Sequence, residues 1–116
     1  MPAFTRSAML LIYALACAGA AAQVPGTPER QRELVRMVRQ DCGSCHGMHL
    51  TGGLGPPLTP AALADKPVPS MAATIFHGRP GTPMPPWRTF VTEAEALWIA
   101  KQLAGGFPPW PPRTSP

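Results

Sequence analysis

The sequence predicts an all-α fold in which a few short helices wrap around one bound group, and three observations carry that prediction. Segments with helical spacing and helix-start signals recur along the chain, and no strand-like run of useful length interrupts them. Near the middle stands Cys42-Gly43-Ser44-Cys45-His46, and two cysteines three apart followed at once by histidine form the covalent attachment site of a c-type haem. Finally, 17 prolines and 11 glycines in 116 residues leave little regular structure from which to build a core, so a buried porphyrin would supply the missing apolar mass.

The elements follow in chain order. Residues 1–22 combine a basic start at Arg6, an apolar run from Met9 to Ala18 and a small-residue end at Ala20-Ala21-Ala22, the pattern of a cleaved secretory signal peptide that is too short to span a bilayer. Export agrees with haem attachment, which bacteria carry out outside the cytoplasmic membrane. Cys17 lies inside the apolar run and partly resembles a lipidation site, but Ala14 stands where a larger aliphatic residue is usual, so a lipid anchor is the lesser expectation. Residues 23–107 then form one domain. Thr27 caps a first helix with Pro28 at its first position. Leu34, Val38 and Cys42 recur along one face, with Cys45 a turn further on, while Arg30, Arg32, Arg36 and Arg39 make a solvated face.

Gly47 to Pro60 reads as loop, since Gly52, Gly53, Gly55, Pro56 and Pro57 block helix and strand alike. Thr59-Pro60 opens a short helix to about Ala64, and Ser70 caps a helix over Met71–His77 that Gly78 closes. Arg79 to Trp87 is a stiff, proline-braced loop. Thr92-Glu93-Ala94-Glu95 is a capping box opening the last helix, which Gly105-Gly106 ends; its Trp98 is expected to pack near Leu34 or Val38. Residues 108–116, with five prolines among nine, are expected to be an extended or disordered tail.

The chemistry narrows from the same residues. A thioredoxin-like dithiol needs a βαβ setting that this chain lacks. Zinc on Cys42, Cys45, His46 and His49 would ask adjacent Cys45 and His46 to reach one tetrahedral ion. For haem, Cys42 and Cys45 are the covalent anchors and His46 the proximal iron ligand. The sixth ligand of an electron carrier is expected to be a thioether, which favours ferrous iron and raises the potential. Met37 and Met48 sit too close in sequence to the attachment site and Met71 reads as core, which leaves Met84 in its rigid loop. His77 is the rival, and an open sixth position would instead permit ligand chemistry. Without Arg6 the chain carries nine basic residues against six acidic ones, a mild charge that can steer a carrier to an acidic partner. No basic stripe interleaves with aromatic residues, so nucleic acid is not an expected partner.

Taken together, Cys42-Gly43-Ser44-Cys45-His46, Gly55-Pro56-Pro57-Leu58, Met84-Pro85-Pro86-Trp87 and the terminal helix resemble the class I c-type cytochromes. The resemblance implies a small class I cytochrome c fold around one covalently bound haem c, with the carbonyl of Pro56 accepting the proton of the proximal imidazole. A narrower likeness, carried by Thr51 to Leu63 and by His77 to Trp87, is to the NirC family of small periplasmic cytochromes encoded with the haem-d-containing nitrite reductase of denitrifying bacteria. It implies a non-enzymatic one-electron carrier whose partners are redox proteins, either nitrite reductase itself or the enzymes that make and install its d-type haem. The expected protein is periplasmic and monomeric, with no transmembrane anchor in the mature chain.

Overall fold

A computed structural model describes residues 26–108; the signal peptide expected at 1–22, Cys17 and the tail after Pro108 lie outside the described residues. Five α-helices and one π-helical turn follow one another: α1 (Pro28–Met37), the π turn (Val38–Cys42), α2 (Gly43–His46), α3 (Pro60–Leu63), α4 (Val68–His77) and α5 (Glu93–Gly105). No strand occurs among the described residues. The all-α prediction therefore stands.

The helix starts follow local chemistry. Thr27 Oγ1 accepts from the Arg30 amide at 3.2 Å and Thr59 Oγ1 from the Ala62 amide at 3.3 Å. At α5 both halves of the capping box form, with Glu95 N–H donating to Thr92 Oγ1 at 3.1 Å and Thr92 N–H to Glu95 Oε2 at 2.9 Å, so two otherwise orphaned amides are satisfied. The expected start of α4 at Ser70 is corrected. The helix begins at Val68 with Pro69 in its first turn, where a missing N–H costs nothing, and the Ser70 carbonyl instead accepts from Thr74 Oγ1 at 3.0 Å.

Helices α4 and α5 pack on each other most extensively. Their buried faces (Met71, Ala72 and Ile75; Ala96, Ile99, Ala100 and Leu103) join Leu34 and Val38 in one core. Trp98 is half-buried and packs on that cluster. Two arginines fasten the first helical run to the last one, which corrects the solvated face expected for them. Arg30 binds Glu95 through Nε–Oε1 at 2.7 Å and Nη2–Oε2 at 3.0 Å, and donates from Nη2 to the Phe90 carbonyl at 2.8 Å. Arg39 grips the carbonyls of Phe107 and Pro108. The i, i+3 spacing that marks a helix face cannot show that a long side chain folds back onto a partner some 65 residues away.

The first helix also departs from simple periodicity. The π turn between α1 and α2 adds a residue to the helix and rotates the cysteine-bearing end by about 100°, one residue's rotation. Val38 is fully buried, whereas Cys42 is only partly buried and Cys45 is exposed, so the expected continuous stripe from Leu34 to Cys45 is broken.

Candidate haem attachment site

Cys42 and Cys45 both carry free thiols. Burial and the neighbouring Asp41 carboxylate push the Cys42 thiol up to about 11, which keeps it protonated at neutral pH. A redox-active dithiol depends on a lowered value. With no strand among the described residues to make a βαβ unit either, the thioredoxin-like alternative has nothing to rest on. Zinc fares no better: among the described residues no three His, Cys, Asp or Glu side chains come together as a metal-binding group.

His46 ends α2, and the loop after it folds straight back. The Gly52 amide donates to the His46 carbonyl at 2.8 Å and the Gly55 amide to the Cys45 carbonyl at 2.7 Å. This brings the Pro56 carbonyl to 2.7 Å from His46 Nδ1. A carbonyl oxygen only accepts, so Nδ1 carries a proton, and in the neutral ring this tautomer puts the lone pair on Nε2, the form an imidazole needs to ligate a metal. Gly55 makes the approach possible. A Cβ there would stand 2.7 Å from both Cε1 and Nδ1 of His46, closer than carbon atoms tolerate.

The far end of this loop is anchored by a residue that sequence reasoning missed. Leu50 adopts a left-handed backbone, φ 60°, while its side chain is buried in the core. Its N–H donates to Gly47 O and its carbonyl accepts from Leu58 N–H, each at 2.8 Å. Such a conformation costs a leucine on the order of 1–3 kcal/mol and persists only where the surroundings enforce it. Between these anchors Leu54 stands 95% exposed, flanked by Gly53, which packs on the Cys45 carbonyl, and Gly55, which packs on the imidazole. His49 is exposed.

Met84 lies on the loop joining α4 to α5, half-buried. Gly78 opens this loop with φ 70°, and a Cβ on it would meet Pro86 N at 2.7 Å. The Met84 carbonyl accepts from Arg79 N–H at 3.2 Å, and its own amide donates to Thr82 Oγ1 at 3.3 Å. The loop exits onto α4, with Trp87 N–H on Ile75 O at 3.0 Å and Arg88 N–H on Phe76 O at 3.2 Å. His77 is exposed and stacks edge-on against Phe76, with ring centroids 4.9 Å apart. Both line an apolar groove of about 430 Å³ between α4 and α5 whose other wall includes Glu93 and Leu97.

Comparison with known proteins identifies the family. The family described as cytochrome c oxidase, cbb3-type, subunit III matches residues 29–103. Cytochrome c55X of Paracoccus denitrificans is 51% identical over 98 residues, spanning 84% of this chain and 92% of that one. The chain belongs to the NirC-like c-type cytochromes. A solved structure of the c-type cytochrome NirC is 51% identical and superimposes with a TM-score of 0.68 over 70% of this chain and 95% of that chain. A second, the dihydro-heme d1 dehydrogenase NirN in complex with DHE, is 34% identical with a TM-score of 0.57; it aligns with 69% of this chain, but only 17% of that protein is covered.

Membership makes this family member a non-enzymatic electron carrier with haem c as its cofactor. The residues present fit that group. Two thiols three residues apart and an adjacent imidazole held through Nδ1 are what a thioether-linked porphyrin requires, and Gly55 lets the Pro56 carbonyl approach that imidazole. No helix among the described residues is long and apolar enough to cross a membrane.

Proposed function

We propose that the protein is a periplasmic mono-haem cytochrome that donates electrons one at a time to the haem-d-containing nitrite reductase of denitrification. When bound, haem c supplies a one-electron ferric–ferrous couple. Cys42 and Cys45 hold the group by thioether bonds. His46 would offer Nε2 to the iron while Pro56 fixes the tautomer and orientation of the ring, and Met84 would offer its thioether as a second iron ligand. The observation that carries this reading is the 2.7 Å contact between His46 Nδ1 and the Pro56 carbonyl, because it leaves the imidazole with one nitrogen committed and the other available. Met84 is favoured over His77, whose ring stacks on Phe76 and lines the groove against α5. A residue fixed by several contacts shifts little when the iron changes charge, which keeps reorganisation small.

A second reading has its own support in the likeness to a dihydro-heme d1 dehydrogenase, and makes the protein a redox partner in producing or installing the d-type haem. The two separate in one experiment. The pre-reduced protein is mixed rapidly with oxidised nitrite reductase, and the reductase is also isolated from a strain lacking this gene. A donor is oxidised within the mixing experiment, and the strain's reductase keeps its full d-type haem. An unreacted cytochrome together with a reductase deficient in d-type haem would overturn the donor reading in favour of maturation.

A further inference from the structure

The segment from Arg79 to Phe90 carries two arginines and no acidic residue. Arg30 and Arg32 are paired with glutamates and Arg39 grips backbone carbonyls. Arg79 and Arg88, by contrast, are exposed, and their guanidinium groups make no ion pair or hydrogen bond among the described residues. The fold roots both at the base of one loop, since Arg79 N–H donates to Met84 O and Arg88 N–H to Phe76 O, three residues before Arg79, each at 3.2 Å. In the same segment Phe90 is 62% exposed, with its ring centroid 5.7 Å from that of half-buried Trp87. Its backbone is nonetheless fixed: the Phe90 N–H donates to Trp87 O at 2.8 Å, its carbonyl accepts from Arg30 Nη2 at 2.8 Å, and Val91 after it is buried in the core. An aromatic ring held this way in solvent loses little freedom when a partner covers it, and aromatic residues and arginine are the types enriched where proteins meet. The attachment side has no such rim, because residues 41–58, which include exposed Met48 and Leu54, carry Asp41 and no lysine or arginine.

We propose that Phe90 and Trp87, rimmed by Arg79 and Arg88, form the face on which an acidic redox-partner protein docks. The two arginines steer an acidic surface and raise the rate of encounter, while the aromatic pair enters an apolar depression on the partner and sets the lifetime of the complex. The face includes the loop that carries Met84, so the partner sits on the side from which the second iron ligand is expected. One electron leaves the carrier and enters the partner's acceptor group, and no bond is made or broken. The inference rests on the electron-carrier reading and names the chemistry of the partner's surface, but it does not require that partner to be nitrite reductase.

The test compares the haem-loaded full chain with the double variant Arg79→Gln and Arg88→Gln, with Phe90→Ala, and with a control of equal charge change, Lys66→Gln and Lys101→Gln, whose lysines are exposed and lie outside the loop. Electron transfer to nitrite reductase is followed by stopped flow as salt is raised. Adsorption is measured electrochemically on gold bearing a carboxylate-terminated monolayer, an acidic surface that does not depend on the donor reading. We expect R79Q/R88Q to slow transfer about tenfold at low salt, to flatten its salt dependence and to lose most of its adsorption. F90A should keep the wild-type salt dependence and adsorption but need about tenfold more reductase to saturate. K66Q/K101Q should stay close to wild type in both assays. Equal losses in the two double variants would reduce the effect to net charge and overturn the proposal. Wild-type binding to vesicles of phosphatidylglycerol and phosphatidylcholine that F90A abolishes would overturn it too, by making the face a membrane contact. Adsorption through Arg79 and Arg88 without any reaction with nitrite reductase would support the acidic docking face and sink the donor reading alone.

Discussion

The two loops that carry the expected iron ligands are built differently. His46 is fixed along the whole length of its loop, by the Pro56 carbonyl, by backbone bonds from Gly52 and Gly55 into the Cys45-His46 end, and by Leu50 locked into the core. Met84 sits on a loop fastened at its ends, where Gly78 closes α4 and Trp87 and Arg88 return to it, while Pro80, Gly81, Thr82 and Pro83 between them are exposed. The histidine side is tied into the core by Leu50, whereas the methionine side is bonded within itself, Arg79 N–H to Met84 O and Met84 N–H to Thr82 Oγ1, and meets the rest of the fold at its ends. In a carrier this asymmetry assigns permanent attachment to one face and leaves the other as the point where ligation can be lost without losing the group.

Three changes probe that contrast. Gly55→Ala is expected to have the largest effect, because its Cβ overlaps the imidazole and overpacking on the order of 1–3 kcal/mol falls on the ligand itself. Purified yield of haem-loaded protein should collapse, and normal yield with an unaltered spectrum would show that the His46 side is softer than described. Gly78→Ala comes next. The φ of 70° and the clash at Pro86 distort only the Met84 loop, so haem should stay attached while the ferrous protein gains carbon monoxide binding. Failure to bind carbon monoxide would mean that the loop absorbs the strain elsewhere.

The smallest effect lies away from both loops. Arg30 hydrogen-bonds Glu95 and holds its carboxyl below the ordinary glutamate value of 4.5, against the opposing effect of burial. Because the folded value is the depressed one, the stabilisation is complete above about that pH and is lost as pH falls through the folded value. Glu95→Gln should cost about 2 kcal/mol at pH 7 and flatten the acid limb of the stability curve, with both ligands unchanged in the visible spectrum. An acid limb as steep as that of wild type would assign the pH dependence to another carboxyl.

Much of this was legible in the sequence because it is local. Thr27, Thr59 and the Thr92/Glu95 box declare helix starts through hydrogen bonds spanning three residues, and Cys42-x-x-Cys45-His46 declares its chemistry through spacing alone. The misplaced start of α4 shows a limit of such signals, since Ser70 offers a cap but Pro69 tolerates a helix beginning before it. The features that could not be read depend on contacts distant in sequence. Arg39 meets Phe107 and Pro108 only once the chain is folded, and the left-handed Leu50 needs a core formed by α4 and α5. Gly55 reads as a loop glycine, and its contact with the imidazole emerges only once the loop is folded back.

The most direct test of the central claim is the visible spectrum of the purified ferric holoprotein at neutral pH, in wild type and Met84→Ala. A low-spin haem held by His46 and Met84 gives wild type the weak far-red absorption of methionine sulfur on ferric iron, and M84A loses it. A wild-type spectrum without that band, or a band that survives in M84A, would contradict the assignment of Met84 and return His77 or an open iron site to consideration.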